Sequence, residues 1–419
     1  MKKILTLTAL GVVLACSNAN ASGFFLKEQS AAAQGNAYAG ATAGAEDISY
    51  SFFNPAGLTR HKGTQIELGG TWISPNSSAR DSNNFMGEHN DYMGNIVHPA
   101  ASPMAYFSHQ INEKWTAGLS MNTPYGMITK YGDDWSGRFH GTLSKIISAT
   151  FTPMVAYKAN DKLSFGAGLQ IQYIEAKLRN GVIAGVHPQA GVIEDKATLQ
   201  GNTLDIGYQL GALYEPKEGT RFGIGYRSQV RHKLKGDIEF DGLLASMGMN
   251  QDISARLTTP ASLTLGAYHE INNDWAVMAE YNRVYWSSFK NLVIDGEKNG
   301  QMSFTPERWK DTSFYAFGVS KKLDEQWKLR LGIAYEQGAV GTEYRTPRIP
   351  DSSRLWYSAG LEYKYNDKLT FNVGYTYIDA DKAKVNLKGN HTGDENRGAF
   401  NANYSNKVNI LAGSITYNF

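Results

Sequence analysis

Histidine, serine and aspartate are the residue types here that could support hydrolysis, because a hydrolase needs a nucleophile beside a general base. The chain contains nine histidines. None of them stands in a recognisable spacing with serine or aspartate, so chance placement explains their positions. The 43 glycines are spread along the chain and form no phosphate-binding loop. We therefore predict that the protein is not an enzyme.

Acidic side chains are the remaining candidates for cation chemistry. Asp133 with Asp134, and Asp379 with Asp381, could coordinate calcium in surface loops. Carboxylates in exposed loops are more commonly solvated, so we predict no metal site and no cofactor. The only cysteine, Cys16, lies in a stretch expected to be removed, which leaves no thiolate for a metal or a disulfide.

Basic side chains in a dry place could bind a carboxylate ligand. The candidates are Arg138, Arg227, Lys328 and Arg330. Each could instead pair with Glu280, Glu336 or another acid, since an unpaired buried charge is costly. The sequence alone does not decide which of them meets a ligand.

Apolar side chains in two long connections point to a hydrophobic ligand, because exposed apolar loops are unusual unless they bind something. The first connection contains Ile183 and Val186, and the second contains Phe240, Leu243, Leu244 and Met247. The spacing in the second fits one face of a short helix. These residues either bind a ligand or pack on one another over the mouth of the fold.

The first 21 residues have the pattern of a secretory signal peptide. Lys2 and Lys3 precede an apolar run, and Ala19-Asn20-Ala21 forms a small-x-small cleavage site. After this stretch no apolar run reaches the ~18 residues that a membrane helix requires. With 41 basic and 39 acidic residues, the charge gives no reason to expect a nucleic-acid partner.

The rest of the chain repeats a unit of strand, tight polar turn and strand. The turns are 112–114, 160–162, 216–219, 272–274, 324–326 and 366–368. Tryptophan follows three of them, where an aromatic ring would meet the membrane interface. Between turns, apolar and polar residues alternate for about ten residues, the length of a tilted strand that crosses a bilayer. Leu331 and Ile333 thus face one way, and Arg330 the other.

The sequence predicts an all-β fold, which consists of six hairpins, a first strand near 64–74 and a last strand near 407–419. This fold is a transmembrane antiparallel β-barrel of about 14 strands over residues 63–419. Its short turns would face the periplasm of a Gram-negative cell, and its body would contact outer-membrane lipid and lipopolysaccharide. The terminal Phe419 ends an aromatic strand that resembles the signal read by the barrel assembly machinery.

Residues 22–62 lack the period of two and carry small, weakly charged side chains, so they are predicted to form a short helical hatch in the barrel lumen. Within them, Pro55 suits the first position of a helical turn that Asn54 can cap. Ala56 continues that turn, and Leu58 would be its apolar contact.

Phe24 and Phe25 would stand at the new amino terminus. From their position alone, we predict that they fill the lumen and either occupy or gate an inner ligand site.

The Asn54-Pro55-Ala56 motif, the strand count and one loop together resemble the FadL family of outer-membrane long-chain fatty acid and hydrocarbon transporters. The loop reads Asn122-Thr123-Pro124-Tyr125-Gly126 and continues to Trp135-Ser136-Gly137-Arg138. The resemblance covers the whole mature chain.

This resemblance implies a monomeric barrel that captures a hydrophobic molecule among its outer loops and passes it to a lumen site. Rearrangement of the hatch and of an inward kink in the third strand would then open a lateral path through the wall. The third strand here runs from Trp115 to about Asn122. Pro124 has no amide hydrogen for the ladder, so the strand should end or kink there.

Other interpretations stay open. Fatty acids and aromatic hydrocarbons cannot be separated from the sequence. A general diffusion porin would have an open, charged lumen, and a receptor or adhesin would depend on its loops alone.

Overall fold

The computed structural model describes residues 23–83, 92–189, 191–298, 300–394 and 397–419. The predicted signal peptide with Cys16, and also His89, lie outside the described residues. No helix in the described ranges is long and apolar enough to span a bilayer.

The strands form one closed antiparallel sheet, in which the last strand pairs with the first from Gln65↔Asn418 to Asn83↔Asn401. Fourteen strands make up the barrel wall, as predicted. They are β1 Thr64–Asn83, β2 Ala100–Gln110, β3 Trp115–Asn122, β4 Leu143–Lys158, β5 Leu163–His187, β6 Gly191–Lys217, β7 Thr220–Arg227, β8 Ser262–Glu270, β9 Trp275–Val284, β10 Thr312–Lys322, β11 Trp327–Glu336, β12 Arg354–Lys364, β13 Leu369–Ala380 and β14 Phe400–Asn418.

Shorter segments extend several of these strands at the end opposite the short turns, here called the outer end. They are Tyr92–Met93 before β2, Gly126–Lys130 after β3, Val230–Phe240 after β7, Gln251–Thr259 before β8, Asn291–Gly296 after β9, Gly300–Pro306 before β10 and Ala383–Leu387 after β13.

The alternation along the strands separates a lipid-facing surface from the lumen, as predicted. On β11, Leu331 and Ile333 are 46% and 59% exposed on the outside, whereas Arg330 is 1% exposed in the lumen. On the last strand, Leu411 and Ile415 likewise lie exposed on the outer surface. An apolar outside and a mixed lumen are what a barrel in a bilayer requires.

Four of the six predicted short turns are held by the same pair of local hydrogen bonds. In the first turn, Asn112 Oδ1 accepts hydrogen bonds from the amides of Lys114 and Trp115 at 2.9 and 3.0 Å. Asn272, Asp324 and Asn366 make the same pair of bonds. A side chain that holds its own turn closed explains why these turns could be recognised from sequence.

Several connections predicted as loops are instead strands. The long connection that contains Ile183 and Val186, predicted as a loop, is a β-hairpin whose ladder continues to His187↔Gly191. The first strand likewise continues to Asn83, and the last begins at Phe400 rather than near residue 407. The strands extend beyond the membrane because the hydrogen bonds between their backbones form whether or not one face of the sheet contacts lipid.

Residues 23–62, here called the N-terminal segment, contain α1 (Ala31–Gly35) and two 3₁₀ helices, Ile48–Phe52 and Pro55–Arg60. Helix α1 contacts β12 and β13, whereas the second 3₁₀ helix contacts β4, β5 and β6. A segment that touches strands on opposite sides of the wall lies inside the barrel. The predicted local structure is correct: Asn54 caps the helix that starts at Pro55, and Leu58 is buried.

Candidate functional site

A belt of inward-facing glycines lets the N-terminal segment lie directly on the barrel wall. The glycine belt consists of Gly166, Gly211, Gly223, Gly225, Gly266, Gly318, Gly332, Gly360 and Gly374. A Cβ atom on Gly332 would lie 2.1 Å from the carbonyl carbon of Asn36, and one on Gly166 would lie 2.4 Å from the amide nitrogen of Ala56. No side chain fits at these positions, so the two backbones pack against each other.

Charged side chains fix the middle of the N-terminal segment to the wall. Arg330 donates to Glu46 Oε2 at 3.0 Å through Nε and at 2.6 Å through Nη2, and it also pairs with Glu362. Lys328 lies 3.5 Å from Glu46. Arg221 donates to two carbonyl oxygens in the same stretch, at 3.2 and 3.0 Å. Arg330 and Lys328 are therefore engaged in holding the segment.

Asn54 connects three parts of the structure. Its Oδ1 accepts from the Ala56 amide at 3.0 Å, and its Nδ2 donates to the carbonyls of Thr42 at 2.8 Å and Ala212 at 2.9 Å. The same side chain thus caps a helix, joins two turns of the N-terminal segment and binds β6.

Strand β3 breaks at Thr123–Tyr125, close to the predicted position, and the start of the N-terminal segment fills the break. Gly126 donates to the Phe24 carbonyl at 3.0 Å, and Leu26 donates to the Pro124 carbonyl at 2.7 Å. An isolated antiparallel bridge joins Phe25 and Tyr125. The backbone groups freed at Pro124 are thus satisfied by residues 24–26 instead of by β2.

Gln29 completes this seal with its side chain. Its Nε2 donates to the Thr123 carbonyl at 3.1 Å, and its Oε1 accepts from the Thr123 amide at 3.2 Å. On the other side of the break the β2–β3 ladder ends at Ala105↔Met121, and the Ser102 and Thr123 hydroxyls bond to each other. The wall between β2 and β3 is therefore closed by side chains at this height.

Phe24 lies in a cage of aromatic rings. Its ring centroid is 4.8 Å from that of Trp286, and the rings of Trp309, Tyr125 and Phe289 lie 5.9, 5.9 and 6.1 Å away. The 3₁₀ helix Trp286–Ser288 and the connection before β10 carry the tryptophans inward. Such edge contacts between rings stabilise the position of Phe24.

Phe24 also closes one end of an apolar cavity, here called the inner cavity. The lining includes Leu178, Leu199, Leu234, Ile253, Leu257, Phe289 and Ile294. Its volume is about 80 Å³. Since an apolar cavity of about 150 Å³ holds a benzene molecule, the smaller inner cavity has no room for a long alkyl chain while Phe24 occupies its present position.

A second, outer cavity of about 380 Å³ adjoins the first, and the two share Leu178, Leu199 and Ile294. Two predicted ligand-contacting residues, Ile183 and Phe240, line it.

Val186, Leu243 and Met247 lie farther out, 73%, 38% and 64% exposed, and Leu244 is half-buried. The helix predicted there is the four-residue α2 (Leu243–Ser246), and Phe240 belongs to a strand.

The two remaining predicted cations lie apart from the inner cavity. Arg138 forms a two-bond ion pair with Glu194 at 2.7 and 2.8 Å. Arg227 donates to the carbonyl of Phe52 and to Gln209, and its guanidinium lies 4.2 Å from the centre of the Phe52 ring. A ligand role for either residue stays a prediction.

Other candidates for chemistry are engaged in structural contacts. Asp133, predicted as a possible calcium ligand, pairs with Arg179 and Lys196 at 2.9 and 2.8 Å. His232 bonds to Asp205 at 3.0 Å and to Thr259 at 3.2 Å, a cross-strand network of the lumen wall that the sequence did not reveal.

A closed barrel whose lumen holds its own amino-terminal segment is a transport architecture of the bacterial outer membrane. A family model described as outer membrane protein transport protein (OMPP1/FadL/TodX) matches residues 12–419, and the chain belongs to this family. The protein is accordingly an outer-membrane transport protein and not an enzyme, as predicted.

Relatives with curated descriptions cover nearly the whole chain. The long-chain fatty acid transport protein of Escherichia coli O6:H1 is 28% identical, over 91% of this chain and 93% of that protein. Outer membrane protein P1 of Haemophilus influenzae is 29% identical over 99% of both chains.

Solved structures share the fold. A Pseudomonas aeruginosa FadL homologue has a TM-score of 0.87 at 24% identity and covers 95% of this chain and 100% of its own. The CymD monoaromatic hydrocarbon channel has a TM-score of 0.69 at 19% identity, with coverage of 96% and 99%.

Proposed function

We propose that this protein is a passive channel through which hydrophobic compounds, long-chain fatty acids in particular, enter across the outer membrane. One observation carries the proposal: Phe24 closes the inner cavity while the backbone of residues 24–26 bonds to the broken part of β3. A ligand that displaces Phe24 must also break the bonds that seal the wall. Ligand binding in the inner cavity is therefore coupled to opening of the barrel wall at the break in β3.

The ligand is first captured at the outer end. The exposed Val186, Leu243 and Met247, with the half-buried Leu244, offer an apolar surface, and flexible side chains such as Met suit flexible ligands. From there the ligand passes into the outer cavity beside Ile183 and Phe240, and then toward Phe24 in the inner cavity. Apolar side chains lie beside the ligand at each step, so it is not released into water and no energy source is required.

Release occurs sideways, through the interruption between β2 and β3. Withdrawal of Gln29 and Phe25 would leave the β3 break without partners on the lumen side. On the lipid side, a groove of about 610 Å³ runs across β1, β2, β13 and β14 at the same height. Gly70 and Gly413 have no side chains and so deepen the groove. Pro103 of β2 lies at the end of the groove that is nearest to the break in β3.

The fatty-acid assignment is supported by relatives named for long-chain fatty acid transport. Uptake of aromatic hydrocarbons by the same route is the second candidate, favoured by the fold shared with a monoaromatic hydrocarbon channel. An open porin is disfavoured because the N-terminal segment is buried in the lumen. Both cavities lie within one chain, which is compatible with transport by a monomer, and we propose that Phe419 is offered to the assembly machinery.

A reversible crosslink tests this mechanism. Phe25→Cys with Tyr125→Cys places a thiol pair at an antiparallel bridge, where Cα separations suit a disulfide. The mature chain has no other cysteine to interfere, because Cys16 precedes the predicted cleavage site. We expect the oxidised protein to take up labelled oleate no faster than cells without it, and the reduced protein to recover uptake.

The reduced double variant is its own control, since it differs only in the crosslink. Oleate uptake that is equal in the oxidised and reduced forms would show that residues 24–26 do not leave β3 during transport. Toluene uptake in the same cells separates the two substrate candidates.

A further inference from the structure

Four exposed basic side chains lie together on the outside of the barrel, in the two segments that extend β7 and β8. This basic cluster consists of Arg231, Lys233, Lys235 and Arg256. Leu234 and Leu257, which alternate with them along the chain, line the inner cavity. Because successive side chains of a strand point to opposite faces, the basic cluster faces away from the lumen.

The pairing of the two segments brings like charges together. Lys233 lies directly opposite Arg256 in the antiparallel ladder, and Lys235 and Arg231 lie on the same face, two residues away on either side of Lys233. Like charges directly opposite each other destabilise a sheet. An anion bound among these four side chains would remove the repulsion.

The basic cluster has no acidic partner of its own. In the described parts of the chain, none of its four side chains forms an ion pair or a hydrogen bond. Asp237 and Asp252 face the same way, but they lie opposite each other at the next pair outward, where Asp237 accepts a hydrogen bond from Gln200. Arg283 of β9, in contrast, pairs with Asp311 at 3.6 Å. The basic cluster is therefore available to an anion from outside the protein.

The basic cluster lies at the outer edge of the lipid-facing apolar band. On the neighbouring strand β6, the outward side chains are apolar from Tyr214 to Leu204, and Leu204 and Ile206 are 64% and 67% exposed. Ten residues of a tilted strand span about 25 Å, the height of the apolar band of an outer-membrane barrel. The next outward side chain, Asn202, is polar and lies opposite Lys235. The basic cluster is thus at the level of the lipid head groups of the outer leaflet.

We propose that the basic cluster binds the phosphate groups of lipopolysaccharide, whose acyl chains pack against Leu204 and Ile206 of β6. Lipopolysaccharide forms the outer leaflet of this membrane and carries its phosphates where its sugars meet its acyl chains. Cations at the edge of an apolar wall match that arrangement. Arginine binds phosphate with two parallel hydrogen bonds, and lysine binds it as a point charge. The site lies outside the lumen and does not depend on the proposed function.

Binding of lipid A, the phosphorylated and acylated part of lipopolysaccharide, to the purified mature protein in detergent tests this site. Native mass spectrometry measures the affinity. The cluster variant carries Arg231→Gln, Lys233→Gln, Lys235→Gln and Arg256→Gln. We expect it to bind lipid A about 10- to 100-fold more weakly, because each basic residue at a charged lipid surface contributes to affinity. Lipid A without its phosphates should bind to the cluster variant and to the unmodified protein with affinities that differ less than about threefold, since no charge is involved.

The matched control removes the same number of positive charges at the opposite end of the barrel. It replaces one exposed lysine in each of four short turns. The control variant carries Lys114→Gln, Lys162→Gln, Lys217→Gln and Lys368→Gln. It should bind lipid A as tightly as the unmodified protein does. Both variants should show the heat-dependent gel mobility of a folded barrel.

Three results would overturn the proposal. If the two variants lost affinity for lipid A equally, total charge and not position would determine binding. If the cluster variant bound lipid A as tightly as the unmodified protein, or if neither bound it, the basic cluster would not be a phosphate site. If phosphatidylglycerol bound as tightly as lipid A and lost as much affinity in the cluster variant, the site would accept any anionic lipid and would not be specific for lipopolysaccharide.

Discussion

Gly23 and Phe24 show how a single side chain is held across the lumen. Gly23 has φ +64°, a conformation that side chains disfavour. A Cβ there would lie 2.3 Å from the ring of Trp309. Only glycine therefore lets the chain turn close enough for Phe24 to enter its aromatic cage. In the proposed mechanism, the free-energy cost of withdrawing this ring contributes to how easily the channel opens.

Glu307 gives a pH dependence that can be measured. This residue lies in the outer connection before β10, outside the membrane-crossing strand. Burial raises the pKa of Glu307 to about 7, although Trp309, Arg348 and Arg397 favour its ionised form. Above that pH the ionised carboxylate of Glu307, which lines the inner cavity, repels an anionic ligand there, so the affinity for such a ligand should fall as pH rises.

We expect the affinity for hexadecanesulfonate, which stays ionised, to fall about three- to tenfold from pH 6 to pH 8, as for one added like charge nearby. Calorimetric titration of purified protein measures it. Glu307→Gln should bind equally at both pH values. A dependence of the same size in the Gln variant would assign the effect to another group.

Local interactions explain which site residues could be predicted. Asn54 was recognised as a cap because its partner, Ala56, is two residues away. The aromatic cage around Phe24 was not predicted, since its rings belong to residues 125, 286, 289 and 309, at least 101 positions away along the chain. Arg330 was placed correctly in the lumen, but its partner Glu46 belongs to a segment whose path no pattern defines.

At the scale of elements, the break in β3 followed from Pro124, because a missing amide hydrogen is visible in the sequence. What fills the break was not visible. The Phe25–Tyr125 bridge joins residues a hundred positions apart, and neither flanking sequence has a strand pattern. The outer hairpin of β5 and β6 was missed for a related reason, since outside the bilayer no lipid face imposes the alternation that identified the other strands.

The glycine belt predicts how the N-terminal segment depends on the wall. Gly332→Val would place a side chain against the backbone of Asn36, which cannot move aside as a flexible side chain would. We expect this variant to shift the segment and raise the ion conductance of the purified protein in planar bilayers about tenfold or more, because a barrel of this width has an aqueous bore when unfilled.

Gly413→Val is the matched control. This glycine also lies in a barrel strand, but the nearest atom to its added Cβ would be 3.9 Å away. Its conductance should equal that of the unmodified protein. Both variants should show the heat-dependent gel mobility of a folded barrel. A closed Gly332→Val channel with a folded barrel would mean that the segment does not need this contact.

At the scale of the whole molecule, two kinds of information specify the fold. The barrel can be predicted from local sequence features, because polar residues in the short turns form local hydrogen bonds and each strand alternates apolar and polar residues between its two faces. The N-terminal segment instead depends on contacts with nearly every strand of the wall. The sequence predicted that this segment enters the lumen, because a stretch of this length without a strand pattern cannot be part of the barrel wall. Its exact position in the lumen depends on the glycine belt and the Glu46 ion pairs.

Deleting Asn54–Ala56 tests whether the whole assembly, and not the loops alone, performs transport. The deletion removes the cap and the bonds from Asn54 to Thr42 and Ala212, so the segment can no longer lie on the wall in its present register. We expect uptake of labelled oleate to fall to that of cells without the protein, while the barrel still assembles. Asn54→Ala, which removes the same bonds without shortening the chain, should give an intermediate rate. Unchanged uptake by the deletion variant would favour a function carried by the outer loops.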